Sequence, residues 1–234
     1  MAWVQHDHVD AAALAKALAD SLHRQCQRAL AQRGRALLAL AGGSTPLPAY
    51  RALAGVALDW RSVTAMPTDE RCVPHEHAAC NLRALRAALA AAPGVTLESL
   101  TAPDGTCAAS LPAARAMLAR HPAAFDAVLL GMGEDGHTAS LFPGAHGLCA
   151  ALDPTLSHAA VRIDPEPAPP DAPFARITLT ASRLLHARCV ILALTGQAKR
   201  AVLEQALAGN DQQRHPVAAI LHAPGSTVHV HWSP

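Results

Sequence analysis

No apolar run in this 234-residue chain reaches the roughly 18–20 residues that a membrane-spanning helix needs, because Arg, Gly or His interrupts each one first. The N-terminus, MAWVQHDHVD, lacks a basic segment followed by an apolar core. No secretory signal is expected, and a cytoplasmic address follows by default. Net charge is nearly absent: the balance is +1, with no basic stripe of the kind that binds nucleic acid or a membrane surface. A local basic pocket for one small anion is compatible with that balance. Lysine is scarce, and only Lys16 and Lys199 accompany the arginines.

Metal and disulfide signatures are missing too. The six cysteines, at 26, 72, 80, 107, 149 and 189, form no CxxC and sit at no zinc-finger spacing with histidine. They are expected to be small, buried or half-buried thiols in a reducing compartment. The fourteen histidines are mostly scattered. His229 and His231 alternate on an expected strand and share a face, but no third ligand is evident nearby. They and the loop pair His75 and His77 are read as structural, and no metal is expected.

Hydrophobic residues, 51% of the chain, suffice for one large globular domain spanning 1–234. Apolar positions recur at helical spacing over residues 9–33, and Gly34 is a stop signal. The run RALLALA at 35–41 then reads as a strand, broken by Gly42-Gly43-Ser44-Thr45-Pro46; Pro46 suits the first turn of a helix to about Leu53. Strand, polar or glycine-rich loop and helix recur. Residues 62–66 are a strand ending in the loop Thr68-Asp69-Glu70-Arg71, and 81–92 and 107–120 are helices. Residues 125–130, 176–180 and 188–194 are strands, followed by a helix to Ala208 and a last strand at 227–232. The alternation predicts an α/β, Rossmann-like fold with a mainly parallel sheet flanked by helices. The first strand is expected at about residue 35. Ligands of such sheets bind beyond the carboxyl ends of the strands, so the loops at 42–45, 68–71, 131–137 and 195–199 should converge. Residues 164–173, DPEPAPPDAP, read as a surface loop and a candidate lid.

Those loops carry the chemistry. Gly42, Gly43, Ser44 and Thr45 follow a strand and open a helix, the arrangement of a phosphate cradle, although no Gly-Lys-Ser/Thr of a Walker loop follows. Asp69, Glu70 and Arg71 place charge at a strand end facing the other loops, Asp69 being counted with the substrate-binding groups. In GMGEDGHTASLFPG, residues 131–144, His137 follows Asp135 by two residues in a turn with Gly131, Gly133 and Gly136. That is the setting of a general base held by a carboxylate. The glycines free a sharp backbone path and could present N–H groups to an oxyanion. Which of Asp69, Glu70, Glu134 and Asp135 touches His137 is open. Lys199, in the first turn of a helix, can place a point charge beside helix-terminal N–H groups, and Arg176, opening a strand, can clamp the same anion.

Together AGGSTP at 41–46, TDERCVP at 68–74, Asn81-Leu82, DAVLLGMGEDGHTASLFPG at 126–144, RITLT at 176–180 and Thr195 to Lys199 resemble the 6-phosphogluconolactonase family. That family sits within the larger group of glucosamine-6-phosphate deaminase-like folds. The resemblance covers nearly the whole chain. It implies hydrolysis of 6-phospho-D-glucono-1,5-lactone to 6-phosphogluconate, in the oxidative pentose phosphate pathway, with no metal or organic cofactor. It implies His137 as the base that activates water, Arg71 facing the lactone, and Ser44, Thr45, Arg176 and Lys199 on the 6-phosphate.

Two other readings compete. The related deaminase/isomerases share the glycine loop and the Asp-Gly-His turn, but resemble Asp-Glu-Tyr where this chain has Asp69-Glu70-Arg71. They also carry a glutamate where this chain has Phe142, and Phe cannot move a proton. Sugar-phosphate-sensing regulators reuse the fold without catalysis, normally behind a helix-turn-helix, for which one helix ahead of residue 35 leaves no room. The sequence leaves oligomeric state, monomer or weak dimer, open.

Overall fold

The computed structural model describes residues 2–167, 169 and 172–234. In chain order the elements are β1 (Ala2–Asp7), α1 (Ala11–Arg33), β2 (Ala36–Leu40), α2 (Leu47–Ala54), β3 (Val63–Pro67), β4 (Asp69–Arg71), α3 (Asn81–Ala88), β5 (Thr96–Leu97) and α4 (Cys107–Ala119). They continue with β6 (Ala127–Gly131), α5 (Leu148–Leu152), β7 (Ala160–Ile163), β8 (Arg176–Leu179), α6 (Ala181–Leu185), β9 (Val190–Thr195), α7 (Gln197–Ala208), α8 (Ala218–Leu221) and β10 (Thr227–Ser233). No helix among the described residues is long and apolar enough to cross a membrane.

Seven strands form one parallel sheet in the order β1-β10-β9-β6-β2-β3-β5. Its central strands are buried on both faces, as parallel strands between helical layers must be. One face packs against α1, α2 and α3 through Leu14, Leu18, Leu22, Tyr50, Leu53 and Leu85. The other face, with Val128, Leu130, Leu192 and Val230, meets α4 to α8 and a second, antiparallel sheet of order β4-β8-β7. Chain direction across the large sheet reverses between the neighbours β2 and β6: β3 and β5 lie outward of β2, and β9, β10 and β1 outward of β6. Such a switch point opens a crevice at the carboxyl ends of its strands, and here the crevice lies between the glycine loops that follow β2 and β6.

Local chemistry fixes the ends of the elements around it. The Asp10 carboxylate accepts the Ala13 N–H at 2.7 Å and caps α1, a bond of about 1 kcal/mol. Gly34 ends α1 in the left-handed conformation, φ 68°, as the sequence predicts. Pro46 and Pro48 suit the start of α2. From that helix the buried Tyr50 hydroxyl donates to the Ala41 carbonyl at 2.9 Å, holding the point where β2 gives way to the glycine loop.

Three expectations are corrected. The first strand is β1, at residues 2–7, not a strand near residue 35. It joins the sheet edge by parallel pairing with β10, and its largely exposed residues, Trp3 and Val4 among them, give no clean alternation to mark it. Residues 69–71 are not a loop but β4, paired antiparallel with β8. Cys72 and Cys107 are joined by a disulfide, whereas Cys26, Cys80, Cys149 and Cys189 are free. Packing of the turn before α4 against the backbone of Val73 brings the pair together: a Cβ on Gly105 would stand 2.1 Å from the Val73 carbonyl carbon. Of the proline-rich stretch considered as a lid, Ala168, Pro170 and Asp171 lie outside the described residues.

Candidate active site

The crevice holds a cavity of about 230 Å³, lined by Gly42, Gly43, Ser44, Thr45, Asp69, Arg71, Asn81, Gly131 to Gly133, His137, Ala139, Arg176 and Lys199 among others. Four sequence-predicted loops thus meet on one site, although one of them is a strand. Among the expected site residues only Asp135 stands outside the lining, and it reaches the site through His137. The Nδ1 of His137 lies 2.6 Å from Asp135 Oδ1, which also accepts the His137 backbone N–H at 3.1 Å. With the Nδ1–H donated to the Asp135 carboxylate, Nε2 is the nitrogen left unprotonated; that tautomer is assigned from the hydrogen bond. Burial works against ionisation of Asp135, but the hydrogen bond and charge of His137 outweigh it, and its carboxyl lies below the usual range.

The segment after His137 is explained residue by residue. The Thr138 hydroxyl donates to the Gly131 carbonyl at 2.8 Å, closing the turn onto the end of β6. Ala139 takes a positive φ of 47°, a conformation that is uncommon without glycine. Ser140 donates its hydroxyl to Asp69 in a short hydrogen bond, tying the turn to β4. Phe142 packs under the imidazole with ring centroids 4.2 Å apart, and the Arg176 guanidinium sits over its ring at 4.8 Å. Phe142 thus stands as an apolar wall between the imidazole and the guanidinium.

Gly133 is required by packing, not by catalysis of its own. A Cβ there would stand 2.2 Å from His137 Nδ1 and 2.6 Å from Asp135 Oδ1. Its N–H donates to the His137 carbonyl at 2.9 Å, and the Gly136 N–H to the Gly133 carbonyl at 3.1 Å. The expectation of free N–H groups for an oxyanion is therefore corrected at these two glycines, whose donors are spent on closing the turn.

The cationic side of the site comes from the small sheet. Arg71 and Arg176 are cross-strand partners on β4 and β8, an arrangement of like charges that costs stability. Arg71 donates from one terminal nitrogen to the Ala79 carbonyl at 2.6 Å, and Arg176 to the Ala172 carbonyl at 2.9 Å. The Nε atoms of both are buried with no hydrogen-bond partner among the described residues. Burial, and then Arg71, push the Arg176 pKa down, while Asp69 and Glu70 hold it up. Two guanidiniums with spare buried donors fit an anionic or carbonyl-bearing ligand. Lys199, in the first turn of α7, and the Gly43 to Thr45 turn, with Gly43 at φ 89°, complete the basic rim.

Asp69 lines the site, but its oxygens are engaged by the hydroxyls of Thr68, at 3.2 Å, and Ser140, so it braces the wall. The sequence names two further residues, Asn81 and Glu70, without disclosing their roles. Asn81 donates from Nδ2 to the Asp69 carbonyl at 2.7 Å and presses so close to Gly42 that a Cβ there would lie 2.1 Å from its Oδ1. Glu70, fully buried, accepts the backbone N–H groups of Arg71, Asn81 and Leu82 at 2.7–2.9 Å. Burial pushes its carboxyl above the usual value against those donors. Glu70 thereby locks β4 onto the start of α3 and sets Arg71 and Asn81 together. A motif of three charged residues gives no hint of that role.

No three His, Cys, Asp or Glu side chains among the described residues converge as a metal site. The family model described as glucosamine-6-phosphate isomerases/6-phosphogluconolactonase matches residues 9–232. The chain is 38% identical to a 6-phosphogluconolactonase of Rhizobium meliloti, over 98% of each chain. It is 40% identical to one of Pseudomonas aeruginosa, covering 96% of this chain and 92% of that one. A crystal structure of a 6-phosphogluconolactonase from Shewanella baltica superimposes with a TM-score of 0.92 at 36% identity, covering 99% of this chain and 97% of the other.

Proposed function

The chain belongs to the glucosamine-6-phosphate isomerase/6-phosphogluconolactonase family, and on that premise we propose that it is a 6-phosphogluconolactonase, hydrolysing 6-phospho-D-glucono-1,5-lactone to 6-phosphogluconate. The observation that carries this reading within the family is Phe142 against His137. The site has a base and a basic wall but an apolar side chain where ring opening and isomerisation need a second proton carrier.

The proposed course uses only residues of the site. Ser44, Thr45, Lys199 and Arg176 hold the phosphate, with Gly43 allowing the close turn. His137 takes a proton from water as the water oxygen attacks the ester carbonyl. Asp135 steadies the resulting imidazolium. The guanidinium of Arg71 faces the oxygen on which charge develops. Collapse of the tetrahedral intermediate breaks the bond to the ring oxygen, which leaves as a hydroxyl after taking the proton back from His137. Water is consumed, one carboxylic acid appears, and no metal or organic cofactor takes part.

The test offers the purified protein freshly prepared lactone and follows acid release above the spontaneous rate. Glucosamine 6-phosphate is run beside it and assayed for ammonia. Acid release without ammonia is the expected result. Ammonia release, or binding of either sugar phosphate without turnover, overturns the reading in favour of a deaminase or a sensor.

A further inference from the structure

A polar groove outside the catalytic crevice lies along the β10 and β1 edge of the sheet. There α1 runs beside β10 and β1, and residues of all three line the groove. On the helix-covered face, β6 and β9 present Leu129, Ile191 and Ala193 to the core, but β10 and β1 present histidines. His6 Nε2 lies 3.2 Å from His229 Nδ1, and His8 Nε2 lies 3.0 Å from His231 Nδ1. The rings stack, with His6 and His231 centroids 4.4 Å apart. Facing this row across a groove of about 430 Å³ are Arg24 and Arg28, one helical turn apart on the same side of α1. Both are exposed and make no ion pair or hydrogen bond with any described residue.

We propose that this groove is a binding site for a polyphosphate anion, of the di- or triphosphate class, gripped by Arg24 and Arg28 and by imidazoles that take up protons as it binds. Two arginines one helical turn apart, with Cβ atoms about 6 Å apart, suit charge spread along a phosphate chain more than a single carboxylate. A row of four imidazoles adds hydrogen-bond donors and, once protonated, further charge. A cation is the poorer fit: no three ligand groups converge there among the described residues, and the arginines repel it. The charged surroundings are few. Asp20 on α1 is paired with Lys16 at 2.8 Å. Asp7, between His6 and His8, points to the other face, 3.7 Å from Arg200. The Cys189 thiol, ahead of β9, is buried at the floor. Burial holds His8, His229 and His231 below their ordinary pKa, so an anion that raises those values draws protons in from solution.

Titration calorimetry with inorganic triphosphate, in metal-free buffers at about pH 6 and about pH 8, tests this. The expected result is tighter binding at the lower pH, with net proton uptake shown by heats that change with buffer ionisation enthalpy. An Arg24→Ala/Arg28→Ala double variant should lose about tenfold or more in affinity while hydrolysing the lactone normally; Lys199→Ala should keep triphosphate binding. A nucleoside triphosphate run in parallel distinguishes the carrier. Equal affinity identifies the bare phosphate chain as the ligand, and a nucleotide preference identifies the nucleoside-linked one. Loss of binding in Lys199→Ala but not in the double variant would place the anion in the catalytic crevice and overturn the proposal, as would absence of binding or of proton uptake.

Discussion

Asp135 Oδ1 holds both nitrogens that face it from residue 137, the ring Nδ1 at 2.6 Å and the backbone N–H at 3.1 Å. One carboxylate oxygen thus sets the tautomer of the imidazole and the position of its main chain. Phe142 lies against the ring, centroids 4.2 Å apart and planes tilted by 31°, so the imidazole has a charge at one edge and an apolar ring beside it. This is the pre-organisation that general-base catalysis requires of a side chain otherwise free to rotate.

Replacing either member of the dyad should therefore reduce turnover more than binding. His137→Ala removes the proposed base and should lower kcat by about 10²–10⁴-fold, with KM for the lactone little changed. Asp135→Asn keeps the shape but no longer stabilises the imidazolium, and should approach the same loss. The measurement is initial acid release from fresh lactone, corrected for spontaneous hydrolysis. Near-normal turnover in His137→Ala would remove that residue from the base role.

Lys199 tests the anion end of the site. Its ammonium lies on the rim with Ser44 and Thr45, remote in sequence from the dyad. Lys199→Ala should raise KM for the phosphorylated lactone by about tenfold or more, the scale of one charge-assisted hydrogen bond. For gluconolactone, which has no phosphate, KM should hardly move. Equal changes for the two substrates would argue against a phosphate contact.

Gly133→Ala isolates packing from chemistry. The added methyl would meet His137 Nδ1 and Asp135 Oδ1 at 2.2 and 2.6 Å, so the dyad must shift. A misplacement of about 1 Å can cost about 10²-fold in rate. The expected variant is folded, with a far-ultraviolet spectrum and melting temperature close to the parent, but strongly impaired in kcat. Full activity would show that the loop relaxes without disturbing the base.

What the sequence discloses and what it hides divide along physical lines. Long apolar strands such as β6 and β9 and the glycine-marked loops after β2 and β6 are legible, because hydrophobic period and turn chemistry are local signals. The three residues of β4 carry no such period. Asp69 and Glu70 are buried by pairing with β8 and by the N–H groups of α3, partners far along the chain. The same holds for the Ser140 hydrogen bond to Asp69, 71 residues apart, and for the disulfide, whose cysteines are separated by 35 residues. The dyad was half readable: the glycine turn marks His137, but four carboxylates, Asp69, Glu70, Glu134 and Asp135, stayed open as its partner. The facing of Arg71 and Arg176 was not readable, because it exists only once two distant strands pair.

The histidine row gives a prediction about stability. Burial, with the charges of neighbouring His6, His8 and His229, lowers His231 to about 3, and His8 and His229 are shifted in the same direction, chiefly by burial. In the unfolded chain each imidazole titrates near its ordinary value of about 6.5. Below that pH the unfolded state binds more protons than the native state, so stability falls as the medium is acidified and is unaffected by these groups above about pH 7. At about pH 5.5 the loss from His231 alone is of the order of 1.4 kcal/mol, one pKa unit being worth 1.36 kcal/mol; it grows until the pH reaches the folded value. Urea unfolding at about pH 7.5 and about pH 5.5 should show this as a lower midpoint with an unchanged slope. His231→Gln keeps a polar group of similar size without a titration near neutrality, and should flatten the pH dependence even if it destabilises the protein at every pH. An unaltered acid slope in that variant would assign the loss to other groups.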